Sequence, residues 1–198
     1  ALDENMELDI DGLEEFLEKH RDEPVFLFGF TFMVWQHFVE KLLDAGYRPD
    51  LTKGVLIHGG GWKKLADRKI SSNEFRAALH RVCGIKRVHD YYGMVEQTGT
   101  IYMECECGHL HTSIFSDVII RNPFDFSMCT ERESGLVEAV SILPYSYPGH
   151  IILTEDEGVL LGEDTCPCGR KGKYFRITGR IKNAEIRGCS DTYADGFR

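Results

Sequence analysis

At 198 residues, 42% hydrophobic and 11% aromatic, the chain can bury one good core or two small ones and is too apolar to be disordered. A formal net charge of −9 excludes a broad nucleic-acid surface, because the basic clusters Trp62-Lys63-Lys64 and Arg170 to Lys173 are short. No apolar run approaches the roughly 20 residues that span a bilayer, and the acidic start Ala1-Leu2-Asp3-Glu4-Asn5 lacks a secretion-signal pattern.

Asp11 is the expected cap of a helix carrying Leu13, Phe16 and Leu17 at helical spacing. Pro24 precedes a compact apolar run, Val25 to Phe30, of strand length. Thr31 opens a second helix with Val34, Phe38, Leu42 and Leu43 on one face, stopped at Gly46. Gly54 to His58 reads as a strand ending in Gly59-Gly60-Gly61; Ser71 or Ser72 then caps a helix through Phe75, Leu79 and Val82. Ile85 to His89 is the next strand, followed by Tyr91-Tyr92-Gly93-Met94-Val95-Glu96. This alternation implies parallel pairing, with the loops at the strand C-termini free to form a site.

Further on, strand candidates at 100–103, 118–121, 136–142 and 151–153 are separated by turn residues such as Asn122-Pro123 and Pro148-Gly149. They predict an antiparallel, partly barrel-like β unit. The expected fold class is α/β, with a parallel-sheet α/β portion over residues 1–98 and a β-rich portion over 99–198.

The loop from Tyr91 to Glu96 carries chemistry at short spacing. A glycine lets backbone approach a flat ring, and a carboxylate beside it can hold a magnesium-bound phosphate. The cysteines carry a second signal. Cys105-x-Cys107 and Cys166-x-Cys168 are each followed by glycine, Gly108 and Gly169, and four thiolates suit a tetrahedral zinc that staples two loops. His109 and His111 sit beside the first pair, and either can replace one of the sulfurs. Seven cysteines, an odd number, without an export signal, lead us to expect thiols or a metal in a reducing cytoplasm.

In this order the motifs resemble the adenylate-forming (acyl-activating) superfamily, and within it the LuxE-type acyl-protein synthetases and the phenylacetate–CoA ligases. Tyr92-Gly93-Met94-Val95-Glu96 is similar to the family's Tyr-Gly-x-Thr-Glu loop, with Val95 where threonine is usual. The resemblance implies that Glu96 binds magnesium, that Tyr91 or Tyr92 packs on adenine beside Gly93, and that Gly59, Gly60 and Gly61 line the adenine. Thr154-Glu155-Asp156-Glu157-Gly158 looks like the Thr-Gly-Asp-x-Gly segment, and Ile177-Thr178-Gly179-Arg180 like the Thr-Gly-Arg motif. Asp156 and Arg180 are then the residues that reach the ribose. Cys166-Pro167-Cys168-Gly169-Arg170 looks like a stretch typical of the phenylacetate ligases.

Cys189, ten residues past Gly179 and close to the end of the sequence, resembles the acyl-accepting cysteine of the acyl-protein synthetases; Lys182 and Arg187 stand near it in sequence to stabilise a thiolate. The family's Ser/Thr/Gly-rich triphosphate loop ending in lysine does not occur before Gly59, so the sequence is expected to be the C-terminal portion of a longer protein.

The implied function is ATP-dependent activation of a carboxylic acid, with a fatty acid as the expected substrate, through an acyl-adenylate. ATP, Mg²⁺ and a structural Zn²⁺ are the implied cofactors, and an acyl reductase or other acyl-acceptor protein is the implied partner. The alternatives are an acyl- or aryl–CoA ligase, or a non-catalytic zinc-stapled module that binds a nucleotide or a partner.

Overall fold

In the computed structural model, which describes residues 1–61 and 70–181, the first helix starts at Asp9 rather than at the expected Asp11. The Asp9 carboxylate accepts from the Gly12 amide at 2.9 Å, satisfying one of the orphan donors of helix α1 (Ile10–Lys19). Leu13 is buried and Leu17 packs beside it, whereas Phe16 stays largely exposed against the His20 ring.

The chain divides into two units, Ala1–Asp90 and Tyr91–Arg198, a division earlier than the expected one at residue 98. In the first unit, β1 (Phe26–Phe30) pairs in parallel with β2 (Val55–Gly59), from Phe26 opposite Val55 to Phe30 opposite Gly59. β3 (Arg87–Tyr92) is the next neighbour of β2. A continuous helical segment follows β1: α2 (Thr31–Met33), a π-helical stretch (Val34–Val39) and α3 (Glu40–Ala45), closed by Gly46 at φ 65°. In the π stretch the Glu40 amide reaches the Trp35 carbonyl, and the Trp35 indole donates to the Glu40 carboxylate at 3.0 Å.

Helix α4 (Ser72–Cys83) opens with a reciprocal box: Ser71 Oγ accepts from the Glu74 amide, and Glu74 Oε2 accepts from the Ser71 amide. The core of this unit is built from Phe38, Val39 and Leu42 of the helical segment, Phe75, Leu79 and Val82 of α4, and Leu56 and Val88 of the strands.

In the second unit, the last residues of β3 pair antiparallel with β4 (Tyr102–Glu104), Tyr91 opposite Met103 and Tyr92 opposite Tyr102. Tyr91 and Tyr92 therefore belong to a strand, not to the loop in which the sequence suggested them. The remaining strands are β5 (Leu110–His111), β6 (Ser116–Arg121), β7 (Ser134–Ser141), β8 (Ile151–Glu163) and β9 (Lys173–Arg180). From β4 they run in the order β4-β5-β9-β8-β7-β6, all antiparallel.

The expected partial barrel is corrected to an open sheet: among the described residues β6 pairs with β7 and ends the order, and closure would require it to pair again. Strand β8 is far longer than expected. The polar run from Thr154 to Gly158 lies beyond the strand expected at 151–153, and pairing with β7 on one edge and β9 on the other keeps it extended. The core holds Tyr102, Val118, Ile120, Val137, Ala139 and Phe175.

Candidate active site and metal cluster

The two motifs read as ribose-binding meet in this second unit. Asp156 on β8 lies directly opposite Arg180 on β9, next to a register shift between Glu157 and Gly158. Such bulges commonly re-aim a side chain. Arg180 Nε donates to Asp156 Oδ1 at 2.9 Å, and its Nη2 lies 3.7 Å from Glu155 Oε2. The Tyr92 hydroxyl donates to the other oxygen, Asp156 Oδ2, at 2.7 Å. Thr154 holds the backbone here: its hydroxyl donates to the Val137 carbonyl at 2.8 Å and accepts from the Asp156 amide at 3.1 Å.

Tyr92 is itself fixed by rings, edge-on to Phe175 and 6.0 Å from the Tyr102 centroid. Burial first, then the Asp156 charge, pushes its phenol far above the ordinary tyrosine value, so it serves only as a donor. A carboxylate offers about four acceptor positions, and two are used here. The remainder of Asp156, held half-buried and charge-paired, suits a vicinal diol.

Glu96 lies exposed on a 3-10 turn, Val95–Gln97. Its neighbour Gln97 is a residue to which the sequence reading gave no role. The Gln97 side chain is buried, and Nε2 donates to the carbonyls of Gly149 at 3.0 Å and Ala139 at 3.2 Å. Its Oε1 is buried without a partner among the described residues. Gly149 sits so close that a Cβ there would lie 2.8 Å from the Glu96 carbonyl oxygen. The turn carrying Glu96 is thus bound to the 144–150 loop, and only the tertiary fold reveals that pairing.

Gly59, Gly60 and Gly61 lie in the first unit. Gly59 ends β2 and is buried, while Gly60, at φ 78°, and Gly61 are exposed. Beside them His58 is buried, with Nδ1 2.9 Å from Thr31 Oγ1. Thr31 donates its proton to the Gly59 carbonyl at 3.2 Å, so it accepts from His58, which fixes the neutral Nδ1–H tautomer. Burial above all, then the Arg76 and His89 charges, depresses the His58 pKa to about 4.

The cysteine pairs converge. Ligand atoms of Cys105, His111, Cys166 and Cys168 all lie within 4.8 Å of one another. Cys107, expected in this set, is exposed and outside the group. His109 instead approaches from the side, its Nδ1 3.3 Å from Cys166 Sγ. Lys63, Lys64, Lys182, Arg187 and the candidate nucleophile Cys189 lie outside the described residues.

The open mixed sheet is a fold that solved structures of ligases share. A 2-hydroxyisobutyryl-CoA ligase matches with a TM-score of 0.66 at 18% identity, covering 87% of this chain and 36% of that one. A long-chain-fatty-acid-CoA ligase from Archaeoglobus fulgidus matches with a TM-score of 0.59 at 12% identity, covering 88% of this chain and 37% of that one.

Residues 4–198 match the acyl-protein synthetase family, LuxE, and the chain belongs to that family. A curated relative is the long-chain-fatty-acid–luciferin-component ligase of Vibrio harveyi, 23% identical over 146 residues, which are 72% of this chain and 37% of the relative. The chain therefore spans little more than a third of the length of that relative. Among the described residues no helix is long and apolar enough to cross a membrane.

Proposed function

We propose that the protein activates a fatty acid with ATP and passes the acyl group to a protein thiol. The observation that carries this reading is the convergence of distant motifs on one carboxylate: Arg180 and Tyr92, 24 and 64 residues from Asp156 in sequence, each bond one of its oxygens. Membership in the acyl-protein synthetase family supports the same chemistry.

Asp156 accepts from the ribose hydroxyls, and Arg180, bonded to its other face at Oδ1, holds that carboxylate in place. Tyr91, on the strand face opposite Tyr92, stacks on adenine, since the Tyr92 ring is already packed against Phe175 and Tyr102. Glu96 offers an exposed carboxylate that suits a hydrated magnesium ion, which when bound offsets the charge of the phosphates.

The substrate carboxylate oxygen forms a bond to the α-phosphorus of ATP as the bond to the bridging β-oxygen breaks, releasing pyrophosphate. The Cys189 sulfur then attacks the acyl carbonyl, and AMP leaves with the bonding electron pair. The soft Cys/His cluster takes no part in these steps. An acyl reductase that consumes the thioester is the partner this product calls for, and a cytoplasmic setting keeps the thiols reduced.

The test is incubation of the full-length protein with ATP, magnesium and labelled fatty acids, followed by mass mapping of acylated residues. A thioester on Cys189 that is absent in Cys189→Ser supports the reading. Acyl-AMP without acyl-protein would point to coenzyme A as acceptor, and failure to form either product would overturn the reading.

A further inference from the structure

We propose that the second unit holds one structural zinc ion on Cys105 Sγ, Cys166 Sγ, Cys168 Sγ and His111 Nε2, with Cys107 and His109 outside the coordination sphere. This inference is independent of the ligase reading. A tetrahedral zinc with bonds of about 2.3 Å to sulfur and about 2.0–2.1 Å to nitrogen sets its ligands about 3.8 Å apart for two sulfurs and about 3.5–3.6 Å for sulfur and nitrogen. Cys105 Sγ and Cys166 Sγ are 3.9 Å apart, and Cys168 Sγ is 3.5 Å from His111 Nε2. Those are tetrahedron edges. A disulfide would need about 2.05 Å between the sulfurs.

The surroundings are those of bound thiolates. Each C-x-C pair sits on a tight turn closed by a glycine at positive φ: the Gly108 amide donates to the Cys105 carbonyl and the Gly169 amide to the Cys166 carbonyl. The Arg170 amide donates to Cys168 Sγ at 3.4 Å, and His109 Nδ1 is placed to donate to Cys166 Sγ. Cys105, His111 and Cys166 are buried, and the four donors form a closed set that leaves no position for substrate. Three sulfurs and an imidazole gathered at this spacing, once the thiols are deprotonated, have their charge balanced by a divalent ion.

The ion would fasten the β4–β5 turn and β5 to the connection between β8 and β9. His111 pairs with Tyr174 and stacks on its ring, so the metal sets the register of the strand whose far end carries Arg180. Zinc is favoured over harder cations because three of the four donors are sulfur.

The test is elemental analysis of the purified protein, with cobalt replacement to report sulfur ligation. The expected result is about one zinc per chain, kept in full by Cys107→Ser and lost in Cys168→Ser. Cobalt should give a thiolate charge-transfer band that Cys107→Ser leaves unchanged. Removing the ion with a strong chelator should lower the Tm by about 10 °C or more, reversed by zinc. Should Cys168→Ser fail to fold, cobalt titration of the wild type and of Cys107→Ser still decides. Loss of the band in Cys107→Ser, a Cys105–Cys166 disulfide in the mass map, or no zinc and no cobalt uptake would overturn the proposal.

Discussion

Acidification should destabilise the first unit through one buried histidine. His58 has a pKa of about 4 in the folded protein against an ordinary value of 6.5, because burial opposes its charge. Between those values the unfolded chain takes up a proton that the folded chain refuses. The stability that neutral His58 confers is therefore full above pH 6.5 and is lost as the pH falls through 4.

The full gap corresponds to about 3 kcal/mol at 1.36 kcal/mol per pH unit, and about 2 kcal/mol of it is gone by pH 5. Asp90 Oδ1 lies 3.7 Å from Nδ1 and would favour the charged ring, but its side chain is 46% exposed, so solvent screens it; Arg76 and His89 act in the opposite sense. Urea denaturation at pH 7.5 and pH 5, followed by tryptophan fluorescence, measures the loss. His58→Gln, which keeps a donor for Thr31 but cannot titrate, serves as the reference for every other acid-sensitive group. The wild type should lose about 2 kcal/mol more than this variant between the two conditions. Parallel losses, within about 0.5 kcal/mol, would refute the assignment of a buried neutral imidazole.

Two further outcomes follow from the second unit. Tyr92→Phe deletes a hydrogen bond to a charged acceptor and should cost about 1.5–3 kcal/mol in denaturant titration, with KM for ATP raised more than kcat is lowered. Gln97→Leu fills the same space but leaves the Gly149 and Ala139 carbonyls without their donor, for a loss of about 1–3 kcal/mol and a raised magnesium requirement in the exchange assay.

Much of the site could be read before the fold, because its information is local. The helix start at Ser71 or Ser72 and the Gly46 stop are written in neighbouring residues, and each forms as short-range hydrogen bonding dictates, with Ser71 the cap. Asp156 and Arg180 were identified as separate motifs, and the sheet brings them together. What escaped the sequence depends on partners far along the chain. The length of β8 was hidden because Thr154 to Gly158 has no apolar alternation, and it is strand only through the pairing on both its edges.

Gln97 was silent because its acceptors lie 42 and 52 residues away. The resemblance offers either Tyr91 or Tyr92 to adenine; ring packing with Phe175 and Tyr102, which no local pattern announces, turns the Tyr92 hydroxyl to Asp156. The choice of His111 over Cys107 in the metal group likewise follows from strand register, since β5 places His111 opposite Tyr174 while Cys107 stays at the exposed tip of its turn.

The central claim is that Asp156, held by Arg180 and Tyr92, grips the ribose of ATP. Its most direct test is fatty-acid-dependent ATP–pyrophosphate exchange by the full-length protein, comparing ATP with 2′-deoxy-ATP in the wild type and in Asp156→Ala. The account predicts that the wild type prefers ATP by about tenfold or more, the worth of a hydrogen bond to a charged acceptor, and that the variant loses that preference along with most of its affinity for ATP. A variant that still discriminates between the two nucleotides as the wild type does would contradict it.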